Sequence, residues 1–382
     1  MNPLVLLLIM FIPLLGLLYV GWHVWVLLPF GAVWKSLVLV LAVACFSLLF
    51  YAVNPRLDAL PMPLARVIYN IGTSSLIVLL YVVLLFLVLD LGRLCHLVPR
   101  SWLYANGTTA LCLLLVLFGT FLYGRLHYRH KVRVPLTVES RKPLSRSYRV
   151  VMVSDLHLGY HNGRRELARW VDMINREQPD LILIAGDVID RSLRPLVEED
   201  MAQELRRLQA PVYACLGNHE YYADAMGGTV YPKQGGRGMS RPYTAADFYR
   251  DAGIHLLRDE SVELDSTLVI IGRDDRTNPQ RGTLQSLMTD VDHSKFTILL
   301  DHQPHILAEA ERAGIDLQLS GHTHRGQVWP ASWVTDLLFE CSWGSHHRGL
   351  TQYYVSSGLG IWGGRFRIGT QSEYVVAEIV TK

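Results

Sequence analysis

The amino-acid sequence predicts a multi-pass α-helical membrane region followed by an α/β domain, on three observations. Four apolar stretches lie in the first third of the chain, charge is nearly confined to the remainder, and beyond about Arg149 short β-branched runs alternate with helical segments. Residues 1–134 hold 9 of the 36 Lys and Arg and 2 of the 34 Asp and Glu. Residues 135–382 are left with 27 basic and 32 acidic residues, a formal charge of −5. That balance lacks the basic excess of a nucleic-acid binder, so no nucleic-acid partner is expected. A hydrophobic content of 50% excludes a disordered chain.

The apolar stretches cover about residues 3–28, 31–53, 71–91 and 108–124. Each is near or above the roughly 18 to 20 residues a helix needs to cross a bilayer, which predicts about four helices in a transmembrane region of residues 1–126. The first has no basic start, and it is longer than the roughly 7 to 15 apolar residues of a cleaved signal peptide, so it is expected to stay attached. Trp22, Trp25, Trp34, Trp102, Tyr104 and Tyr123 stand at stretch ends, where aromatic rings suit the interface.

Orientation follows from the short loops. With the N-terminus in the cytoplasm, Arg56, Arg66, Arg125, Arg129, Lys131 and Arg133 fall inside, and Lys35, Arg93 and Arg100 outside. Basic residues near helix ends resist translocation, so this bias predicts a cytoplasmic C-terminal domain. Asp90, at the end of its stretch, is read as an interfacial carboxylate rather than part of a proton path. Residues 127–148 are expected to form a basic juxtamembrane linker facing anionic headgroups, ahead of a domain at 149–382.

In that domain RVVMVSDLHL is a short strand running into polar residues, RRELARWVDMINREQ from Arg164 has helical spacing of Leu167, Trp170, Val171 and Ile174, and DLILIAGDVID from Asp180 is again a strand. A helical segment near 198–209 and the strand VYACLGNHE from Val212 continue the alternation. Further strands are expected near 267–272, 296–301, 315–320, 352–356 and 374–380. The Gly-rich stretch 227–238 reads as a mobile surface loop. Alternating strands and helices gather ligands at the carboxyl ends of the strands.

The chemistry-bearing residues stand at those ends. Asp155 and His157 follow VVMV, Asp187 follows LILIAG, Asn218 and His219 follow VYACLG, His302 follows FTILLD, and His322 and His324 follow LQLSG. Carboxylate, imidazole and amide oxygen without thiolate suit hard-to-borderline cations, Mn²⁺, Fe, Zn²⁺ or Mg²⁺. Five cysteines with no CxxC argue against a thiolate zinc site or a disulfide framework. Seven ligands with one bridging carboxylate would give each of two ions four protein ligands, an arrangement that activates hydroxide and neutralises a phosphoryl group.

DLHLGYH at Asp155, GDVID at Gly186, GNHE at Gly217, the His302 of DHQPH and GHTH at Gly321 resemble, in order and spacing, the five motifs of calcineurin-like metallophosphoesterases. The match covers about residues 149–380. Apolar helices ahead of the domain, with GHTHRGQ and SSGLGIWG near its end, are similar to the membrane-associated bacterial branch, which implies a multi-pass protein of the bacterial inner membrane. The resemblance implies a four-layer α/β/β/α sandwich and two divalent ions, Mn²⁺ ranked first. Asp155, His157, Asp187 and His324 would hold one ion and Asp187, Asn218, His302 and His322 the other, with Asp187 bridging. His219 would bind no metal but lie beside the scissile phosphate, and a metal-bridging hydroxide would attack in line.

Asp190 and Glu220 are candidate acceptors behind the ligand histidines. Arg164, Arg165, Arg191, Arg273 and Arg325 are candidate phosphate clamps, Arg325 because it stands where the family carries a glycine in GHTHGG. His161, His305, His346 and His347 are read as solvated or hydrogen-bonded histidines. The expected substrate is a phosphodiester, phosphomonoester or pyrophosphate. A membrane lipid or nucleotide-linked lipid ranks above a soluble cyclic nucleotide, because a soluble substrate does not need four spans; some family members cleave a UDP-linked diacylglucosamine pyrophosphate. The competing reading, a non-catalytic membrane receptor or scaffold, would be marked by loss of Asp187, Asn218 or His219, and all three are present.

Overall fold

The computed structural model describes residues 3–226 and 242–382, with side chains from residue 11 onward. The glycine-rich stretch read as a loop lies outside the described residues. The chain forms two compact units, Met1–Leu126 with Gly363–Arg365, and His127–Trp362 with Phe366–Lys382.

The first unit contains α1 (Pro3–Leu27), α2 (Ala32–Ala52), α3 (Met62–Leu94) and α4 (Gly107–Arg129), the last of which runs three residues into the second unit. Four helices were expected. Among the described residues three of them, α2, α3 and α4, are long and apolar enough to cross a membrane, while the described part of the first, Phe11–Leu27, is shorter. Helix α3 begins nine residues before its apolar stretch. Pro61 precedes it, and the helix continues through Arg66 and Asn70, polar residues that an apolar window leaves out. Its 33 residues would span about 50 Å at about 1.5 Å per residue, more than the roughly 30 Å of hydrocarbon, so it tilts or extends past the bilayer core. A Cβ at Gly72 would stand 2.6 Å from the Leu48 carbonyl, so only glycine lets α2 and α3 approach there. Asp90 accepts hydrogen bonds from Tyr19 Oη at 2.7 Å and from His23 Nε2 at 3.0 Å, so this carboxylate is tied to α1.

The second unit opens with β1 (Lys131–Ser140), in the stretch expected to be a linker. Val132, Val134, Leu136 and Val138 alternate with polar residues, a strand pattern that the clustered positive charge obscured. Then come β2 (Tyr148–Val153), α5 (Arg164–Arg176), β3 (Leu181–Ala185), α6 (Arg194–Glu198), α7 (Met201–Leu205), β4 (Val212–Cys215), α8 (Asn218–Met226), α9 (Ala245–Asp251), β5 (His255–Leu256), β6 (Glu260–Glu263) and β7 (Leu268–Gly272). The remainder is α10 (Leu284–Leu287), β8 (Phe296–Leu300), α11 (Leu307–Ala313), β9 (Leu317–Ser320), α12 (Ala331–Leu338), β10 (Gly344–Arg348), β11 (Thr351–Val355) and β12 (Ser372–Thr381). The single helix expected near 198–209 is two short ones, interrupted at Asp200 by a left-handed residue with φ of 53°.

Two six-stranded sheets result, ordered β1-β12-β2-β3-β4-β5 and β10-β11-β9-β8-β7-β6. Val150, Met152, Leu181 and Leu183 of one sheet and Ile270, Ile298 and Leu317 of the other share a buried cluster, so the sheets face one another. Trp170 and Ile174 of α5 pack on the outer face of the first sheet, and Leu307 and Ala310 of α11 on the outer face of the second. The architecture is the four-layer α/β/β/α sandwich. Strands β2, β3 and β4 run parallel, as do β7, β8 and β9, so each sheet brings its carboxyl ends to one edge.

Candidate metal centre

The loops leaving β2, β3, β4, β8 and β9 are stitched together before any side chain is considered. Asp155 N–H donates to the Gly186 carbonyl, His157 N–H to the Asp187 carbonyl and Gly321 N–H to the His302 carbonyl, each at 3.0 Å. Five of the side chains predicted as ligands sit on left-handed backbone: Asp155 (φ 54°), His157 (44°), Asp187 (53°), His322 (72°) and His324 (48°). Non-glycine residues rarely hold that conformation, and such strain clusters at functional sites.

All seven predicted ligand side chains converge. Three overlapping groups form, Asp155 with His157 and His324, His157 with Asp187 and His219, and Asp187 with His302 and His322, with ligand atoms in each within 4.8 Å of one another. Asn218 Oδ1 lies 2.9 Å from His322 Nδ1. His157 Nε2 is 3.0 Å from His324 Nε2 and 3.7 Å from Asp187 Oδ2, and His324 Nε2 is 3.4 Å from Asp155 Oδ1. Ligand atoms bound at about 2.1 Å and at right angles would lie about 3 Å apart, so these separations fit shared cations.

Hydrogen bonding prepares the ring nitrogens for that task. His302 Nδ1–H donates to the Ala185 carbonyl at 2.7 Å, which turns Nε2 toward Asp187 Oδ2, 3.1 Å away. That Nε2 is fully buried and makes no hydrogen bond. A buried ring nitrogen and a carboxylate facing one another call for a cation. Without a metal, a proton serves: against the effect of burial, the charge of Asp187 raises the His302 pKa well above the ordinary imidazole range. Burial also opposes ionisation of Asp187, but the charges of His302 and His219 hold its pKa well below the usual carboxylate range. Burial lowers His322 to about 3 and His324 well below its ordinary value, which keeps both rings neutral with lone pairs available.

Glycines make room for the carboxylates. A Cβ at Gly321 would stand 2.3 Å from Asp155 Oδ2, and one at Gly217 2.1 Å from Asp187 Oδ1. Gly321→Ala must displace Asp155, and metal affinity is expected to fall about 10- to 100-fold, as when a ligand loses its support. Titration of the chelator-stripped protein with Mn²⁺ measures this.

His219 stands beside the cradle. Its backbone N–H donates to Asp187 Oδ1 at 2.9 Å, and its Nδ1–H donates to the Asp190 carbonyl. Burial by itself would depress this imidazole, but the charge of Asp187 and the hydrogen bond to Asp190 push its pKa up to about 9. In chelator, the stability contributed by this shift is full below the ordinary value of 6.5 and is lost as pH rises through about 9. The unfolding midpoint of the second unit should therefore fall across that window in chelator and flatten when divalent ions take the imidazolium's place opposite Asp187. Thermal scans at a series of pH values test it, and an undiminished slope in His219→Ala would contradict it.

The supporting residues differ from expectation in part. Asp190 Oδ1 lies 3.4 Å from His157 Nδ1 and 3.6 Å from His219 Nδ1, near enough for its charge to act on both rings, while the hydrogen bond that holds His219 is accepted by the Asp190 backbone carbonyl. Among the described residues Glu220 hydrogen-bonds backbone and Tyr249 rather than a ligand histidine. Its carboxylate accepts from Asp187 N, Gly217 N, Ile189 N and Tyr249 Oη, tying β3 and β4 together, and burial beside Asp187 pushes its pKa up to about 7. Among the arginines, Arg164 pairs with Glu204, Arg273 with Asp301 and Glu309, and Arg165 is exposed. Arg191 is buried next to Asp190. Arg325 lies over the Trp343 ring at 4.0 Å, one residue after His324. The His305 ring lies 4.9 Å from that of Phe339, His346 lies 3.3 Å from Glu340, His161 is buried and His347 is exposed.

Sequence reasoning missed Arg367. Its fully buried guanidinium donates to the carbonyls of His324 (2.7 Å), Ser357, Gly358 (3.4 Å) and Gly360 (3.1 Å) and to Ser372 Oγ (3.1 Å). Gly358 in turn backs Asp155, where a Cβ would stand 2.9 Å from the Asp155 Cβ. Burial lowers the Arg367 pKa to about 10. Nothing in the local sequence marks this arginine out from its neighbour Arg365.

The two-sheet sandwich gathers carboxylate, imidazole and amide donors at its strand ends in an arrangement suited to divalent cations. The calcineurin-like phosphoesterase family profile matches residues 148–326. A metallophosphoesterase of Aquifex aeolicus is 33% identical over 258 residues, 64% of this chain and 90% of that protein. A transmembrane protein with metallophosphoesterase domain from Danio rerio is 31% identical over 332 residues, 79% of this chain and 71% of the relative. Among solved structures, the calcineurin-like phosphoesterase YfkN from Bacillus subtilis aligns with 14% identity and a TM-score of 0.34, over 56% of this chain and 82% of that one. The chain belongs to the calcineurin-like metallophosphoesterases.

Proposed function

We propose that this protein is a membrane-anchored phosphoesterase that hydrolyses a phosphodiester, phosphomonoester or pyrophosphate, with a lipid-linked ester as its substrate class. The observation that carries the reading is the convergence of Asp155, His157, Asp187, Asn218, His302, His322 and His324 on one cradle with the buried His302 Nε2 unbonded. Asp155, His157, Asp187 and His324 would hold one divalent ion and Asp187, Asn218, His302 and His322 the other, Mn²⁺ first among the candidates. Bound ions would supply an activated water and offset charge on the phosphoryl oxygens. The chain supplies the rest. Asp187 has two oxygens to divide between two cations. His219, with Nδ1–H committed to the Asp190 carbonyl, keeps Nε2 for a phosphoryl oxygen or for moving a proton to the leaving group. Arg325, held over the Trp343 ring, adds a planar cation for the substrate phosphate.

Two features favour a lipid substrate. Among the described residues three helices are long and apolar enough to span a bilayer, and the first unit holds a cavity of about 590 Å³ lined by Leu17, Phe46, Ile71 and Leu79 with polar Asn70 and Arg125. Apolar walls with a few polar groups suit an acyl chain and its headgroup. The resemblance to the membrane-associated bacterial branch supports the bacterial inner membrane, and the loop charges favour the cytoplasmic side for the second unit, so a C-terminal reporter active only in the periplasm should stay silent.

The test is hydrolysis by the detergent-solubilised protein of p-nitrophenyl mono- and diesters, glycerophosphodiesters and UDP-diacylglucosamine, with Mn²⁺ and with chelator. Metal-dependent turnover of a lipid-linked ester is expected. Chelator-insensitive turnover would overturn the metal reading, and activity confined to small soluble esters would overturn the lipid reading.

A further inference from the structure

We propose that α12, beside the metal cradle, is a membrane-surface contact whose apolar face enters the interfacial layer of the bilayer. A short helix of a folded domain ordinarily turns its apolar side inward, and α12 does the reverse. Trp333, Val334, Leu337 and Leu338 recur with helical spacing and are 61%, 55%, 87% and 71% exposed, while Ser332 is buried. Trp329, 41% exposed, packs edge-on against Trp333 with ring centroids 5.4 Å apart and extends the patch. A contiguous apolar patch of this kind marks an interaction site, and paired tryptophans next to aliphatic residues are the composition of an interfacial segment.

The chain itself argues for a lipid surface as the occupant. Helix α4 leads into β1 with only His130 between them, so the second unit is tethered at the end of a helix long and apolar enough to span the bilayer. The chain also rejoins the first unit at Gly363–Arg365. Within the second unit the Ile368 carbonyl accepts the Trp329 N–H at 2.7 Å, which fixes the start of the patch. Such tethering holds a bilayer at high effective concentration, a condition no diffusing partner meets. The patch also adjoins the chemistry, since the ring of Phe339, directly after α12, lies tilted 4.9 Å from that of His305 and edge-on 6.3 Å from that of His322, centroid to centroid. The contact stands on these observations and does not depend on the substrate reading. If that reading also holds, the cradle opens beside headgroup phosphates.

The experiment uses the full chain in nanodiscs made with ordinary or acyl-brominated phosphatidylcholine, and compares wild type with Trp333→Phe. The difference in emission between the two isolates Trp333. That difference should be blue-shifted from the emission of water-exposed tryptophan and should lose most of its intensity in brominated discs. Leu337→Glu with Leu338→Glu should abolish the quenching while leaving the Trp329–Trp333 pair in place. Emission at the water-exposed wavelength without quenching would overturn the proposal. Blue-shifted but unquenched emission would overturn it too, assigning the patch to a second copy or another part of the chain. Because bromine quenching reads depth and not turnover, the result is independent of whether any phosphoester is cleaved.

Discussion

Asp187→Asn should lower phosphoester hydrolysis by at least about 10³-fold, the scale on which removal of one preorganised charge-stabilising group acts. Asp187, like His157, belongs to two of the three candidate ligand groups, and it is the carboxylate of the two; its Oδ1 also receives the His219 backbone N–H. The replacement amide keeps one oxygen but loses the negative charge and the second lone-pair oxygen. It can serve one cation and turns an NH₂ toward the other. Its charge loss also removes the largest influence that keeps His219 protonated in the metal-free protein. Metal content after dialysis, measured beside the rate, should fall to one ion or fewer per chain while the fold, followed by circular dichroism, persists. A variant that retained two ions and near-normal turnover would remove Asp187 from the centre.

The second large effect is expected on stability. Arg367→Met leaves the carbonyls of Ser357 and Gly360 buried without their donor, whereas those of His324 and Gly358 keep the backbone N–H groups of Gln327 and Glu373. Each of the two orphaned acceptors costs about 1 to 3 kcal/mol, and part of this is relieved by relaxation, so a net loss of about 2 to 4 kcal/mol is expected. Lysine should recover only a fraction, because one ammonium cannot reach carbonyls arranged around a planar fork. Metal affinity should fall in parallel, since Arg367 also holds the carbonyls of His324, which carries a ligand imidazole, and of Gly358, the glycine behind Asp155. Denaturant unfolding and Mn²⁺ titration of Arg367→Met and Arg367→Lys check both.

The contrast between these two residues shows what a sequence can reveal. Asp187 was legible because it ends LILIAG, a run whose burial and β-branched content announce a strand, and because a carboxylate after such a run has a chemical reason to be there. The same holds for Asp155, Asn218, His302, His322 and His324. Arg367 was not legible, since a buried arginine bonded to carbonyls has the same letter as a solvated one, and only folding distinguishes them. Strand β1 was hidden by Lys131, Arg133 and Pro135, which read as an exposed basic linker although Val132, Val134, Leu136 and Val138 alternate. It gains its place from ten consecutive residues paired with β12, a strand more than two hundred residues away. The two-residue β5 and the polar β6 and β10 carry too little periodicity to be read. Helix α3 was read short because hydropathy follows lipid exposure, whereas its first turns are favoured by Pro63 at the helix start and by burial of Ala65 and Tyr69.

The assertion on which the chemistry depends is that two divalent cations lie side by side, joined through one carboxylate. Electron paramagnetic resonance of the chelator-stripped full chain, titrated with Mn²⁺, addresses it directly. The expected spectrum at saturation is that of spin-coupled ions, two per chain, which Asp187→Asn abolishes. A spectrum of isolated Mn²⁺ at saturation, with one ion per chain or none, would contradict it.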